Sequence, residues 1–328
     1  MADILLARYA ESIFWLARYV ERAESLARIL DVNATFARDR CGAQDWLPVL
    51  HLNADEARFT AIYGTPTPEA VLHFYVTDHT NPTSIAGAIA SARENARALR
   101  PLISTEMWAQ LNVFHKWLGE LGPAALLPGN TPRLLNRIKE ACQTHTGITD
   151  GTLHRDQVSY FYRLGRFVER ADQTTRLIDL KYHALLPSPT DVGSTVDIGQ
   201  WNVVLRSAAA HHAYLRIVPG GVTPAGVAGF LLLHLHFPRA VAFCVSEANR
   251  VLGILRSRHG LPGGAAAAES LGALHASLGA LTIDEIIASG LHEFLDQVQS
   301  RLIAATNDLS AAFFGRMLQT PSQTQHQA

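Results

Sequence analysis

The chain has 328 residues, 48% of them hydrophobic, and its 28 Lys and Arg residues nearly balance its 29 Asp and Glu residues, for a formal net charge of −1. A chain with this balance has no global attraction for phosphate backbones or anionic lipid, so we expect no nucleic-acid partner and no membrane partner. Abundant Ala and Leu, with few runs in which Val, Ile or Thr alternate with polar residues, predict an all-α protein.

The cysteines and the apolar segments predict a cytoplasmic protein. Cys41, Cys142 and Cys244 are odd in number, far apart and in no Cys-x-x-Cys or Cys/His ligand spacing, which suits a reducing compartment. The first residues lack the basic and apolar regions of a secretory signal. The best membrane candidate, "GVAGFLLLHLHF", is shorter than the ~18 to 20 residues of a membrane span and carries two histidines.

The predicted helices of the first half begin with one near residues 4–38 that contains "RYVERAESLAR". A helix led by Trp46 follows, to about residue 63. Thr67-Pro68 and Asn81-Pro82 then have the form of a helix N-cap followed by Pro at the first helical position. Longer helices that contain "STEMWAQLNVFHKWLGEL" and "TPRLLNRIKEACQTHTG" close this half.

The predicted helices of the second half follow the same order. A helix near residues 156–185 contains "RFVERADQTTR", and a helix led by Trp201 follows. Thr223-Pro224 and, less cleanly, Phe237-Pro238 have the N-cap form, and a closing helix begins at "TIDE", a capping box. Residues 316–328 are polar and predicted to be a disordered tail.

The two halves match in sequence as well as in order. "LARYVERAESLARILD" aligns with "LGRFVERADQTTRLID" at an offset of 148, "WLPVL" with "WNVVL" at 155, and the two Thr-Pro segments at 156. Ordered matches at a nearly constant offset predict a tandem duplication. We therefore expect one helical bundle domain over residues 1–315, with repeats at about 1–148 and 150–315 that share one core.

The two helices near residues 4–38 and 156–185 each contain a Glu-Arg pair, and we call them the ER helices. Both carry a stripe of charge although their other faces are apolar. A pseudo-twofold axis between the halves would bring the two stripes together and supply each charge with a partner, which burial requires. The stripe has three interpretations: a structural seam that fixes the register of the halves, a site whose spare guanidinium groups bind a carboxylate or phosphate, or exposed salt bridges. The candidate seam residues are Arg18, Glu21, Arg22, Arg28, Arg166, Glu169, Arg170 and Arg176.

Other candidate sites are weaker. The pairs His211-His212 and His234/His236 can approach one another, but no carboxylate stands beside them at a metal-motif spacing, so we predict no metal site and no cofactor. The chain contains no G-x-S-x-G, Walker, G-x-G-x-x-G, H-E-x-x-H or kinase signature. Catalysis is therefore not indicated, although the residues do not exclude it.

The repeated ER segments, with "NPTSIAGAIASARENARALRPLISTEMW" and "FLLLHLHFPRAVAFC", resemble the alpha-E family, a bacterial all-helical family named for its ER motif. The resemblance covers residue 1 to about residue 314 and carries the motif onto Glu21-Arg22 and Glu169-Arg170. The sequence departs from the family pattern at Ala240, where Ser is usual after "FPR", and at His234, which stands where the first half has Asp78. These departures put in doubt a role that needs a hydroxyl or carboxylate in the second half.

The resemblance implies partners rather than a reaction. Family members are encoded beside, or fused to, a circularly permuted ATP-grasp protein, often with a transglutaminase-like peptidase nearby. It therefore implies a non-catalytic accessory or scaffold protein that acts with an ATP-grasp amide ligase in peptide or amide-bond synthesis. The alternative is an enzyme or ligand-binding protein whose site is the Arg/Glu seam. A homo-oligomer is compatible with either hypothesis.

Overall fold

The structure is a computed structural model, and it describes residues 5–39, 46–127, 129–184, 194–261 and 263–314. Within these ranges all regular structure is helical, so the all-α prediction is confirmed. Cys41 and the predicted tail over residues 316–328 lie outside the described residues.

The helices fall into two series along the chain. The first series is α1 (Ala7–Asp39), α2 (Leu47–Leu52), α3 (Glu56–Tyr63), α4 (Pro68–Leu72), α5 (Ile85–Ala98), α6 (Thr105–Gly119) and α7 (Thr131–Thr152), with a π-helical turn at His73–Thr77 and a 3-10 turn at Pro123–Leu126. The second series is α8 (Gln157–Ala184), α9 (Thr195–Ser207), α10 (His211–Ile217), α11 (Pro224–Leu233), α12 (Val241–Ser257), α13 (Ala265–Ala280), α14 (Ile283–Ser289) and α15 (Leu291–Phe313).

The two ER helices, α1 and α8, lie against each other at the centre of the molecule. Helices α5 and α7 pack on α1, and helices α12 and α15 pack on α8. The buried apolar side chains of both series form one continuous cluster, which includes Phe14, Leu30, Phe161 and Leu180. Charged residues near the middle of α1 and α8 are consequently surrounded by other helices rather than by solvent.

Two of the predicted helix starts are confirmed. The Thr67 hydroxyl accepts from the Ala70 N–H at the start of α4, and Thr223 does the same for the Gly226 N–H in α11. In each case Pro occupies the first helical position, where a missing N–H costs no hydrogen bond.

The predicted starts at Asn81-Pro82 and Phe237-Pro238 are wrong. Helix α5 begins three residues later, because the Ser84 hydroxyl accepts from the Gly87 N–H. Helix α12 begins after Ala240, which offers no side-chain cap. The Asn81 side chain instead donates from Nδ2 to the Phe74 carbonyl oxygen at 2.8 Å, so it closes the loop before α5 rather than capping the helix.

Each predicted Trp-led helix is two helices in the structure. Ala54 between α2 and α3, and Ala209 between α9 and α10, both have φ of +54°, a left-handed conformation that ends an α-helix. Helix α9 also begins before Trp201, because the Ser194 hydroxyl caps it by accepting from the Asp197 N–H. These left-handed alanines were not predictable from local propensity, since Ala is the strongest helix former.

The predicted closing helix is likewise divided. The capping box between Thr282 and Glu285 is present, but the helix that it starts, α14, ends at Ser289. Gly290, with φ of +103°, separates it from the long helix α15.

Among the described helices, none is by itself both long and apolar enough to cross a membrane. Helices α13 and α14 meet the length and composition criteria only as a pair, and they are bent by 104° at their junction.

Candidate functional site: the ER seam

Helices α1 and α8 approach closely because the contact position on α8 is a glycine. A Cβ atom at Gly165 would collide with the carbonyl oxygen of Phe14 on α1. The contact precedes the ER motif of α8 by one turn. The absence of a side chain there therefore lets the charged residues of the two motifs face each other at hydrogen-bonding distance.

The two ER motifs bind each other reciprocally. Arg170 donates from Nε to Glu21 Oε1 at 2.8 Å and from Nη2 to Glu21 Oε2 at 2.7 Å. Arg22 donates in the same way to Glu169, from Nε at 2.6 Å and from Nη2 at 3.1 Å. Each glutamate is therefore held in a two-point fork by the arginine of the other motif, an arrangement that planar guanidinium favours.

Each of these glutamates has a second arginine partner, and the two second partners come from different elements. Arg18, one turn before Arg22, donates from Nε to Glu169 Oε2 at 2.7 Å. Glu21 instead receives Arg239, whose Nη1 lies 3.1 Å from Glu21 Oε1. Arg239 also donates from Nη2 to Glu24. It enters from the loop before α12.

Arg28 and Arg176 connect the seam to the ends of two other helices. Arg28 pairs with Glu24 and donates to the carbonyl oxygen of Ser207, the last residue of α9. Arg176 donates from Nε to Asp172 at 3.0 Å and from Nη1 to the carbonyl oxygen of Leu52, the last residue of α2, at 2.8 Å. Carbonyl groups at a helix C-terminus lack intrahelical partners, so each arginine caps a helix of the opposite series.

Arg166 is the predicted seam residue that does not join these pairs. Its Nη1 lies 3.2 Å from Asp150 Oδ2, outside the pairs made by Glu21 and Glu169. Its Nε–H is buried and has no hydrogen-bond acceptor among the described residues. The other seven predicted seam residues lie within the network.

Burial and charge act in opposite directions on the two ER glutamates. Desolvation by burial alone would raise the pKa of Glu21, but the charges of Arg170 and Arg239 and the hydrogen bonds from Arg170 outweigh it and lower that pKa to about 2. The pKa of Glu169 is lowered to about 2, because Arg22 and Arg18 likewise outweigh burial. The pKa of Arg170 is raised, since Glu21 outweighs the desolvation of the guanidinium.

These pairs are poorly suited to acid–base chemistry. A general acid or base works best with a pKa near the operating pH, whereas the ER carboxylates and guanidiniums stay ionised across the neutral range. The glutamates are also 2% and 0% exposed, so a substrate atom has no direct path to them. The geometry instead joins two helices with fixed charges.

A small cavity lies beside the seam, between α1, α8, the C-terminal end of α9 and the loop before α12. It has room for about one water molecule, which is too little for a carboxylate or phosphate group. Its lining residues are Ser25, Arg28, Gln173, Thr174, Leu177, Ala208 and Arg239.

One group of side chains in the described residues has the spacing of metal ligands. Ligand atoms of Asp179, His292 and Asp296 lie within 4.8 Å of one another. His292 Nδ1 is 2.8 Å from Asp179 Oδ1, and its Nε2 is 3.6 Å from Asp296 Oδ2. The same aspartate position in α1, Asp31, is bound by Lys139 of α7 at 2.9 Å, so a basic residue fills this place in both series.

The histidine pairs singled out in the sequence do not belong to that group. The rings of His211 and His212 are 5.4 Å apart, and those of His234 and His236 are 5.9 Å apart. Each pair joins near neighbours along the chain. The absence of a metal site stays a prediction.

Arg239 is the seam residue that sequence reasoning missed. It lies in the "FPR" element, but it aligns with Thr83 of the first half and so has no counterpart in the repeat. The available signal was an arginine inside an otherwise apolar segment, "FLLLHLHFPRAVAFC", which requires a buried acidic partner.

Comparison with known proteins gives one match. The model of the alpha-E family, described as a predicted alpha-helical domain with a conserved ER motif, matches residues 5–314. No curated protein and no solved structure matches the chain.

Proposed function

The chain belongs to the alpha-E family, whose model covers residues 5–314, and we propose that it is a non-catalytic accessory or scaffold protein that acts with an ATP-grasp amide ligase. The process that we propose for the pair is the synthesis of peptide or amide bonds, and the location that we propose is the cytoplasm. The family resemblance suggests the partners: a circularly permuted ATP-grasp protein and, in some settings, a transglutaminase-like peptidase.

The observation that supports a non-catalytic role is the reciprocal binding of the two ER motifs. Glu21 and Arg22 bind Arg170 and Glu169, so the charged groups of each copy of the family motif are taken up by the other copy. A motif used in this way stabilises a particular packing of two helices, as a register-fixing ion pair does. A scaffold needs such a fixed shape, whereas an enzyme needs reactive groups that remain available to substrate.

We also infer that the two series arose by tandem duplication. The reciprocal ER pairs support this inference. So do the two helix C-terminal caps, because Arg28 of the first series donates to the Ser207 carbonyl and Arg176 of the second series donates to the Leu52 carbonyl. Ser207 and Leu52 are themselves separated by 155 residues, the offset at which "WLPVL" and "WNVVL" align.

The test is co-purification of the tagged full-length chain with a co-expressed circularly permuted ATP-grasp protein from the same organism. We expect a complex that survives gel filtration in the presence of ATP and candidate amino acids. The control is the Arg97→Gln variant, which changes an exposed residue outside the seam and should form the same complex. Failure of the two proteins to elute together under any of these conditions would contradict the proposal.

The second candidate function is anion binding at the seam, and one observation favours it. Arg18 and Arg22 share the single carboxylate of Glu169, and Arg22 keeps 26% of its side chain exposed. Replacement of Arg170 by Lys keeps the charge and removes the fork. A ligand site would then lose binding at an unchanged melting temperature, whereas a structural seam would lose stability.

A further inference from the structure

The two ER glutamates have matching first partners but different second partners. Glu169 is held by Arg22 and Arg18, and the residue that corresponds to Arg18 at the offset of 148 is Arg166. The second place on Glu21 is nevertheless occupied by Arg239. Arg239 thus supplies the charge that Arg166 would have supplied, and Arg166 is left outside the seam pairs.

Arg166 is buried there with an incomplete set of hydrogen bonds. The residue is 8% exposed, and its guanidinium carbon lies 5.1 Å from the ring centre of Phe167. Its one ion pair is with Asp150, whose side chain is 46% exposed, and its buried Nε–H has no acceptor among the described residues. A buried guanidinium N–H without an acceptor is costly, and an oxyanion that reached it would remove that cost.

Three more arginines belong to the same group of charges, because Arg163 interacts electrostatically with Arg166, Arg250 and Arg155. Arg163, one turn earlier on α8, pairs with Glu247 of α12 at 3.2 Å. Arg250 pairs with the same carboxylate at 2.8 Å. Arg155 donates from Nη2 to the carbonyl oxygen of Asp150 at 2.7 Å.

The cluster carries more positive than negative charge. Two carboxylates, Asp150 and Glu247, pair with three of these arginines, whereas Arg155 contacts the backbone of Asp150. The Glu21 carboxylate also attracts Arg166, but it is already paired with Arg170 and Arg239. Burial lowers the pKa of Arg163, and the charges of Arg250, Arg166 and Arg155 lower it further, against the opposing effect of Glu247. A further anion at this point would relieve that repulsion.

We propose that Arg166, Arg163 and Arg250 form an oxyanion site, where α7, α8 and α12 meet, that binds the carboxylate or phosphate group of a ligand. Planar guanidinium groups bind both groups through paired N–H···O bonds, and Arg166 provides the desolvated donor that a solvent-exposed arginine cluster lacks. The site is distinct from the ER pairs, and it does not depend on the ATP-grasp partner.

The test is titration of the isolated full-length protein with inorganic phosphate and, separately, with acetate, at constant ionic strength. Isothermal calorimetry should give saturable binding of at least one anion, and the better of the two identifies the group. Arg250→Gln and Arg163→Gln should each weaken binding about tenfold, the effect of one charge-assisted hydrogen bond. Both side chains are partly exposed, so the variants should fold.

Two further variants make the result specific. Arg97→Gln removes an exposed arginine from a pair with the same i, i+3 spacing as Arg250 and Glu247, and it should leave binding unchanged. Asp150→Asn removes the carboxylate that competes for Arg166 and should strengthen binding several-fold. The proposal is overturned if neither anion binds saturably, if Arg97→Gln weakens binding as much as Arg250→Gln, or if Asp150→Asn leaves binding no stronger.

Discussion

Glu21 receives arginines from two different elements, α8 and the loop before α12, and is 2% exposed. The carboxylate therefore neutralises two arginines, Arg170 and Arg239, that come from distant parts of the chain. At this scale the sequence predicted the pairing of the ER motifs, because a charge on an apolar helix requires a partner. It did not predict Arg239, because that residue is absent from the first repeat.

Replacement of Glu21 by Gln should lower the free energy of unfolding by about 3 to 5 kcal/mol, because Arg170 and Arg239 would be left buried without a counter-charge. Urea denaturation followed by circular dichroism would measure the loss. Glu94→Gln is the matched control, since Glu94 also binds two arginines but is 51% exposed, and it should cost less than about 1 kcal/mol. Equal losses in the two variants would show that the buried pairs contribute no more than surface pairs.

At the scale of elements, long helices with strong periodic patterns were predictable and short breaks were not. The predicted ER helices at 4–38 and 156–185 lie within a few residues of α1 and α8. The breaks at Ala54 and Ala209 depend on how each short helix packs, and sequence alone does not encode that locally. Helix starts were predictable where Thr precedes Pro, at Thr67 and Thr223, and at the Thr282 capping box, whereas the start at Ser194 was missed.

The contact between α1 and α8 predicts opposite effects for two helical glycines. Gly165→Ala should destabilise the protein by about 1 to 3 kcal/mol, because the new methyl group meets the backbone of Phe14, which cannot rotate away. Gly147→Ala, in α7, has open space around its Cβ position and should stabilise by up to about 1 kcal/mol, because Ala favours helix. Thermal unfolding of the two variants beside the parent protein distinguishes these signs. A stable Gly165→Ala protein would show that the two helices can separate at little cost.

For the whole molecule, the ER glutamates predict a loss of stability in acid. Their pKa values of about 2 lie below the ordinary value of 4.5, so the folded state holds these protons less tightly than the unfolded state. Their stabilising contribution is complete above about pH 4.5 and disappears as the pH falls toward 2. Each amounts to something on the order of 3 kcal/mol.

Urea midpoints measured between about pH 6 and pH 2.5 would test this dependence. The Glu21→Gln variant should show a shallower fall than the parent protein, because one of the two ER glutamates no longer titrates. A parent protein whose stability is flat across this range would contradict the conclusion that the two ER glutamates are ionised and paired in the folded state.

The crossed pairs also bear on how the chain folds during synthesis. Glu21 is separated from Arg170 by 149 residues, and Glu24 is separated from Arg239 by 215 residues. The first ER helix cannot bury its acidic residues until the ribosome has released the loop before α12. We therefore expect the nascent first half to remain loosely packed until most of the chain has emerged, the slow and aggregation-exposed behaviour of folds dominated by distant contacts.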